Sequence, residues 1–148
     1  MKRRHDIVRN FRYLLAAGGL FNILMASPLM FPGLEVRYLF FLSGLNAALG
    51  FGGTPVVMPA HPAHGLLINT AGIDLVLIGA MVLYAAFDPE RRQGIVLLNA
   101  IGRLLFAAVA AWYVFTAGLL PLVLLVALAD VVFSFVFLGY LSMLRRGW

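Results

Sequence analysis

Asp74, Arg103 and Asp130 are ionisable residues set inside otherwise apolar stretches. Arg103 poses the sharpest problem. It stands in VLLNAIGRLLFAAVAA (96–111) with no acid within ten residues on either side. A guanidinium keeps its proton in almost any surroundings, so Arg103 needs a carboxylate from elsewhere in the chain. A carboxylate can supply that charge, carry a proton, or act as a general acid or base. Asn99 lies one turn before Arg103, Thr70 lies one turn before Asp74 with Asn69 beside it, and Asn22 sits in a further apolar run. Asn22, Asp74, Asn99, Arg103 and Asp130 therefore form the predicted buried polar cluster, with Asn69 and Thr70 behind it. No residue in this set defines a reaction by its type alone.

Other chemistries find little support. There is no cysteine, which excludes disulfide, thiol-redox and iron–sulfur chemistry. Three histidines are too few for a histidine-rich di-iron site. His61 and His64 in HPAH have a proline between them and no third ligand nearby, so no metal is expected. No phosphate loop, nucleophile elbow or zinc motif occurs, and no cofactor is expected. Glu35 and Arg37 read as interfacial loop charges, and DPERR (88–92) as a helix stop followed by surface charge.

The elements that must hold such a cluster follow from composition. Of 148 residues, 63% are hydrophobic and 11% charged, against about 25% charged in a soluble domain. The chain reads as a single integral membrane domain, 1–148, with the lipid bilayer as its first partner. The formal charge of +5 does not imply nucleic acid, because the basic residues gather at the edges of apolar runs. A span needs roughly 20 apolar residues, and four runs qualify, at about 11–31, 66–87, 94–116 and 119–144. The first run is long for a cleaved leader, and a cut after Ala26 would have Leu24 at −3 and Pro28 close behind. It reads as a retained span.

Charge decides the layout. Lys2, Arg3, Arg4, Arg9 and Arg12 flank the first run, Arg91 and Arg92 follow the second, and Arg145 and Arg146 follow the last. With four crossings all nine face the cytoplasm and Arg37 lies outside. A fifth crossing at 36–51 would split them, and that run is short. The segment 33–65 is therefore expected as an outer cap, with 36–51 an interfacial or re-entrant helix. Tyr13, Tyr84, Tyr140 and Trp148 near one face, and Tyr38, Trp112 and Tyr113 near the other, agree with this layout. The expected fold is all-α: a four-helix transmembrane antiparallel bundle in the inner membrane, both termini cytoplasmic.

Apolar burial does not hold helices together in lipid, so small residues and polar contacts matter. Gly65, Gly72, Gly79 and Ala86 recur every seven residues along the second span. Gly18, Asn22 and Ala26 make a stripe on the first span, and Ala100, Ala107 and Ala111 one on the third. Bundle packing and a homo-oligomer interface both fit such stripes. Antiparallel third and fourth spans joined by TAGLLP (116–121) place Arg103 and Asp130 at matched depth, so these two are expected to pair. Asp74 is then the extra charge, expected to share Arg103 or to be protonated by burial.

FRYLLAAGGLFNILMASPLMFP, AAFDPERRQGIVLLNAIGRLLF and ALADVVFSFVFLGYL together resemble small bacterial four-helix membrane proteins of DoxX-like layout. The resemblance covers most of the chain and implies the same four-span organisation. The glutathione-using membrane enzymes of eicosanoid metabolism share that helix count and length, but ERRQGIVLLN lacks the Asn-x-x-Glu of their second helix.

Three functional readings follow. The first is a non-enzymatic accessory protein that binds a partner membrane subunit or a small amphipathic ligand between its helices. The second is a proton- or ion-coupled oligomeric transporter. The third is a lipid- or isoprenoid-modifying membrane enzyme with Asp74 as acid–base.

Overall fold

The computed structural model describes residues 2–54, 56–57 and 61–145. They form five α-helices and one short 3-10 turn, with no strand among the described residues. Helix α1 spans Lys2–Ala26 and runs into the turn Ser27–Met30; α2 spans Leu34–Ala48, α3 Pro62–Phe87, α4 Gln93–Ala117 and α5 Leu122–Arg145. Four of them, α1, α3, α4 and α5, are long and apolar enough to cross a membrane. Helix α2 has 15 residues, about 22 Å at 1.5 Å per residue, short of a hydrocarbon core of roughly 30 Å. The chain is an integral membrane protein.

Local chemistry sets the helix ends. Pro62 opens α3, where its missing N–H costs nothing, and the His61 imidazole accepts from the Ala63 N–H (3.2 Å). Gly118 closes α4 in the left-handed region (φ 69°), and the Leu119 N–H donates to the Tyr113 carbonyl (3.2 Å), the glycine-terminated helix end. The start of α5 is capped from far away. Asn46 on α2 accepts from the Leu122 N–H (3.1 Å) and donates to the carbonyls of Phe51 and Gly52 (both 3.1 Å). One buried amide thus ties α2, its outgoing loop and α5 together.

Helix α1 lies antiparallel along α3, and α4 antiparallel along α5. Close approach in the first pair depends on glycine. A Cβ on Gly19 would stand 2.8 Å from the Gly79 carbonyl oxygen, and one on Gly79 2.8 Å from that of Gly19. Gly72 meets the Leu29 backbone in the same way (2.6 Å), while Gly65 faces open space. Of the heptad seam, Gly72, Gly79 and Ala86 are therefore buried contacts and Gly65 is not. On α4 the buried stripe is Ala100, Ala107 and Ala110, with Ala111 at its edge.

The two pairs meet in a core of Phe11, Leu15, Val82, Ala85, Val96, Phe137 and Leu141, near the end where the chain begins and the α3–α4 loop turns. We call this the terminal end. Away from it, α3 and α4 part, and α2 lies over the opposite, cap end, against the 3-10 turn and the start of α5. The divergence leaves a groove between α3 and α4.

Candidate functional site

Arg103 sits at the foot of this groove. It is ten residues past the start of α4 at Gln93, roughly 15 Å along the helix, and only 4% exposed. Its Nε donates to Asn99 Oδ1 (2.9 Å) and its Nη1 to Asp130 Oδ1. Its Nη2 donates to the Gly18 carbonyl (2.8 Å) and to Asn22 Oδ1 (2.7 Å). A charge at this depth is tolerable because three helices converge on it: α1 brings an amide and a carbonyl, α4 an amide, and α5 the countercharge. The Phe133 and Phe137 rings lie 5.1 and 6.0 Å from the guanidinium carbon, within range of a cation–π attraction.

Local sequence explains each position. Asn99 and Arg103 are four apart, so they share a helix face. Gly18 has no side chain, and a Cβ there would reach within 2.7 Å of the Phe137 ring; this small residue lets α1 come close to Phe137. Ser134, one turn after Asp130, is fully buried, and its single hydroxyl hydrogen is shared between the carbonyls of Asp130 (Oγ–O 2.7 Å) and Ala100 (3.0 Å), which ties α5 to α4 at the level of the pair.

The cluster is not saturated. Arginine has five N–H donors, and four are engaged. The second Nη1 hydrogen of Arg103, the Nδ2 groups of Asn22 and Asn99, and Oδ2 of Asp130 have no hydrogen-bond partner among the described residues. All four residues line the groove, a cavity of about 610 Å³. Its walls are otherwise almost wholly apolar, including Phe21 and Met25 on α1, Leu75 and Ile78 on α3, Leu98 and Phe106 on α4, and Val126 on α5. Tyr38 closes it toward the cap end, its hydroxyl 4.0 Å from the Met25 sulfur. Burial pushes the Tyr38 phenol up from its ordinary value, so it stays a neutral donor.

Two expected members lie elsewhere. Asp74 is exposed and outside the cluster, and so is Thr70. The cause is the register of α3. Gly79 must face α1 and Gly72 the 3-10 turn that follows it, and Asp74, two residues past Gly72, is turned about 200° around the helix from it. Asp74 therefore points away from Arg103 and does not share it. Asn69 does not back the cluster either; its Nδ2 donates to the Leu29 carbonyl (2.8 Å) and pins the 3-10 turn to α3.

Other expectations shift as well. Glu35 is no loop charge: it lies in the first turn of α2, 6% exposed, with Oε2 unpartnered among the described residues. Arg37 is exposed. His61 and His64 stand with ring centroids 6.1 Å apart, and no group of three or more metal-ligating side chains occurs among the described residues.

Sequence reasoning missed Gly18, Ser134 and Asn46. Ser134 carried a signal, being one turn from Asp130 on an apolar helix. Gly18 lay in a small-residue stripe, but its carbonyl is invisible in sequence. Comparison with protein families, curated proteins and solved structures finds no match for this chain.

Proposed function

We propose that this protein binds an uncharged amphipathic lipid in the groove between α3 and α4, and that it is an accessory or carrier protein rather than an enzyme. One observation carries the reading: a cavity with apolar walls that has, at its foot, unspent donors and an acceptor on a cluster of zero net charge. Arg103 and Asp130 neutralise each other, and the two asparagines are neutral. An ionic head group would leave a net charge at this depth, which costs several kcal/mol. A hydroxyl or carbonyl oxygen would instead accept from the free amide and guanidinium hydrogens, and a hydroxyl would also donate to Asp130 Oδ2. The apolar walls fit a long hydrocarbon tail, and pockets of 300–1,000 Å³ are the usual size for small ligands.

The orientation belongs to the same proposal. Arg4, Arg9, Arg12, Arg91, Arg92 and Arg145 gather at the terminal end, which we place on the cytoplasmic side of the inner membrane. A DoxX-like affiliation is part of this reading and rests on sequence layout.

The test uses a long-chain alcohol carrying a mid-chain diazirine, with the matching alkane as control. The alcohol should label Leu98 and Phe106, and unlabelled alcohol should compete while the alkane labels weakly. Gly102→Leu should cut labelling roughly tenfold, a change of about 1.4 kcal/mol. Gly102 lines the groove, and nothing lies within 4 Å of an added Cβ there, so a leucine side chain starts in open space, and an unchanged unfolding temperature in detergent checks that the fold is kept. Equal labelling by alcohol and alkane, or labelling unchanged in Gly102→Leu, overturns the reading.

A further inference from the structure

Asp74 presents a problem that the groove does not solve. It lies twelve residues after the start of α3 and thirteen before its end, at the middle of a helix about 39 Å long. It is exposed and has neither a hydrogen-bond nor an ion-pair partner among the described residues. A charge at such a depth costs roughly 2.5–3.5 kcal/mol on insertion scales, and such groups face protein or water rather than lipid tails.

The surroundings have a pattern. Leu67, Thr70, Asp74, Leu77, Met81 and Tyr84 are spaced alternately three and four apart, and all are exposed. That 3.5-residue repeat is the seam of a left-handed helix pair. Of the four spans, α3 is also the least covered, with 17% of its apolar stretch buried against 22%, 28% and 28% for the others.

We propose that this face of α3 docks a transmembrane helix of another protein that carries a lysine or arginine at mid-span. Charge complementarity selects this occupant. In a parallel pairing of two copies, Asp74 would oppose Asp74, and like charges juxtaposed across an interface are destabilising. This chain cannot supply the missing cation from its own spans. Arg103 is 4% exposed and committed to Asp130, and Arg12 lies far toward the terminal end, donating to the Ala86 carbonyl (3.0 Å). A cationic partner helix relieves two insertion costs in one contact, and the polar layer sets the register between the helices. The face is separate from the glycine seam against α1, so docking leaves the α1–α3 contact intact.

The experiment uses the whole chain in phosphatidylcholine vesicles. The chain has no cysteine, so one placed at exposed Ser142 takes a donor dye. The probe is an acceptor-labelled apolar transmembrane peptide with a single central lysine. Controls carry leucine there, or the lysine two turns off centre. Energy transfer should show the central-lysine peptide associating at least about tenfold more tightly than either control, and Asp74→Leu should abolish that preference. Equal association of all three peptides overturns the proposal, as does a preference that survives Asp74→Leu. Transfer between two differently labelled copies of the protein, lost in Asp74→Leu, also overturns it and assigns the face to a second copy.

Discussion

Replacing Asp130 by leucine tests the central claim that Arg103 is tolerated because Asp130 neutralises it. The substitution removes one of the four hydrogen bonds to the guanidinium and its only countercharge among the described residues. Three neutral acceptors remain, on Asn99, Asn22 and Gly18. At a charge separation of about 4 Å and an effective dielectric of about 20, the lost attraction is roughly 4 kcal/mol. That agrees with the 3–5 kcal/mol typical of breaking a buried pair from one side. Asp130→Asn keeps an acceptor and loses only the charge, so it should cost less. Arg103→Met combined with Asp130→Leu removes both charges and should recover much of the loss, because no orphan ion is left. Equilibrium unfolding in mixed micelles with rising dodecyl sulfate, applied to the wild type, Asp130→Leu, Arg103→Met and their double variant, closes a double-mutant cycle, with Asp130→Asn measured beside it. The reasoning fails if Asp130→Leu costs under about 1 kcal/mol. It also fails if the double variant loses the sum of the two single losses, since that would make the pair energetically independent.

Three further outcomes follow from the same geometry. Gly79→Val should part α1 from α3 and lower thermal stability by more than 10 °C or abolish folding, whereas Gly65→Ala, in open space, should be neutral or slightly stabilising; differential scanning fluorimetry in detergent separates the two. Asn46→Ala removes three hydrogen bonds, at about 1 kcal/mol each, and should speed limited proteolysis within residues 49–61 before any global unfolding. Cysteine at exposed Leu49 should react with an impermeant thiol reagent on intact cells, and cysteine at exposed Ser142 only after permeabilisation; the reverse pattern refutes the proposed orientation.

Much of the fold is legible in the chain because a bilayer imposes a simple length rule. The four long runs, the shortness of 36–51 and the charged loop at 88–92 all follow from hydropathy and breakers. The Arg103–Asp130 pair is legible for a related reason: a short turn between antiparallel helices places their midpoints side by side. The failure at Asp74 is equally physical. Depth is a one-dimensional property and can be counted along the sequence, but the direction a residue faces depends on helix rotation. Rotation of α3 is set by Gly79 against Gly19 of α1 and by Gly72 against the 3-10 turn, and the spacing of the glycines does not say what each one meets. Asn46 shows a second limit. Its bond to Leu122 closes 76 positions of chain, and no local pattern marks so distant a cap. Glu35 shows a third, since burial of a short cap helix depends on what it rests against.

The division of Arg103's partners among helices also bears on how the chain is made. Asp130 follows Arg103 by 27 positions, an interval of roughly 1–5 s at ordinary rates of synthesis. During that interval the nascent cation already has the acceptors of α1 and its own Asn99, but not its anion. The earlier helices thus serve as a holding station, and α5, arriving last, completes the charge balance that locks the assembled protein.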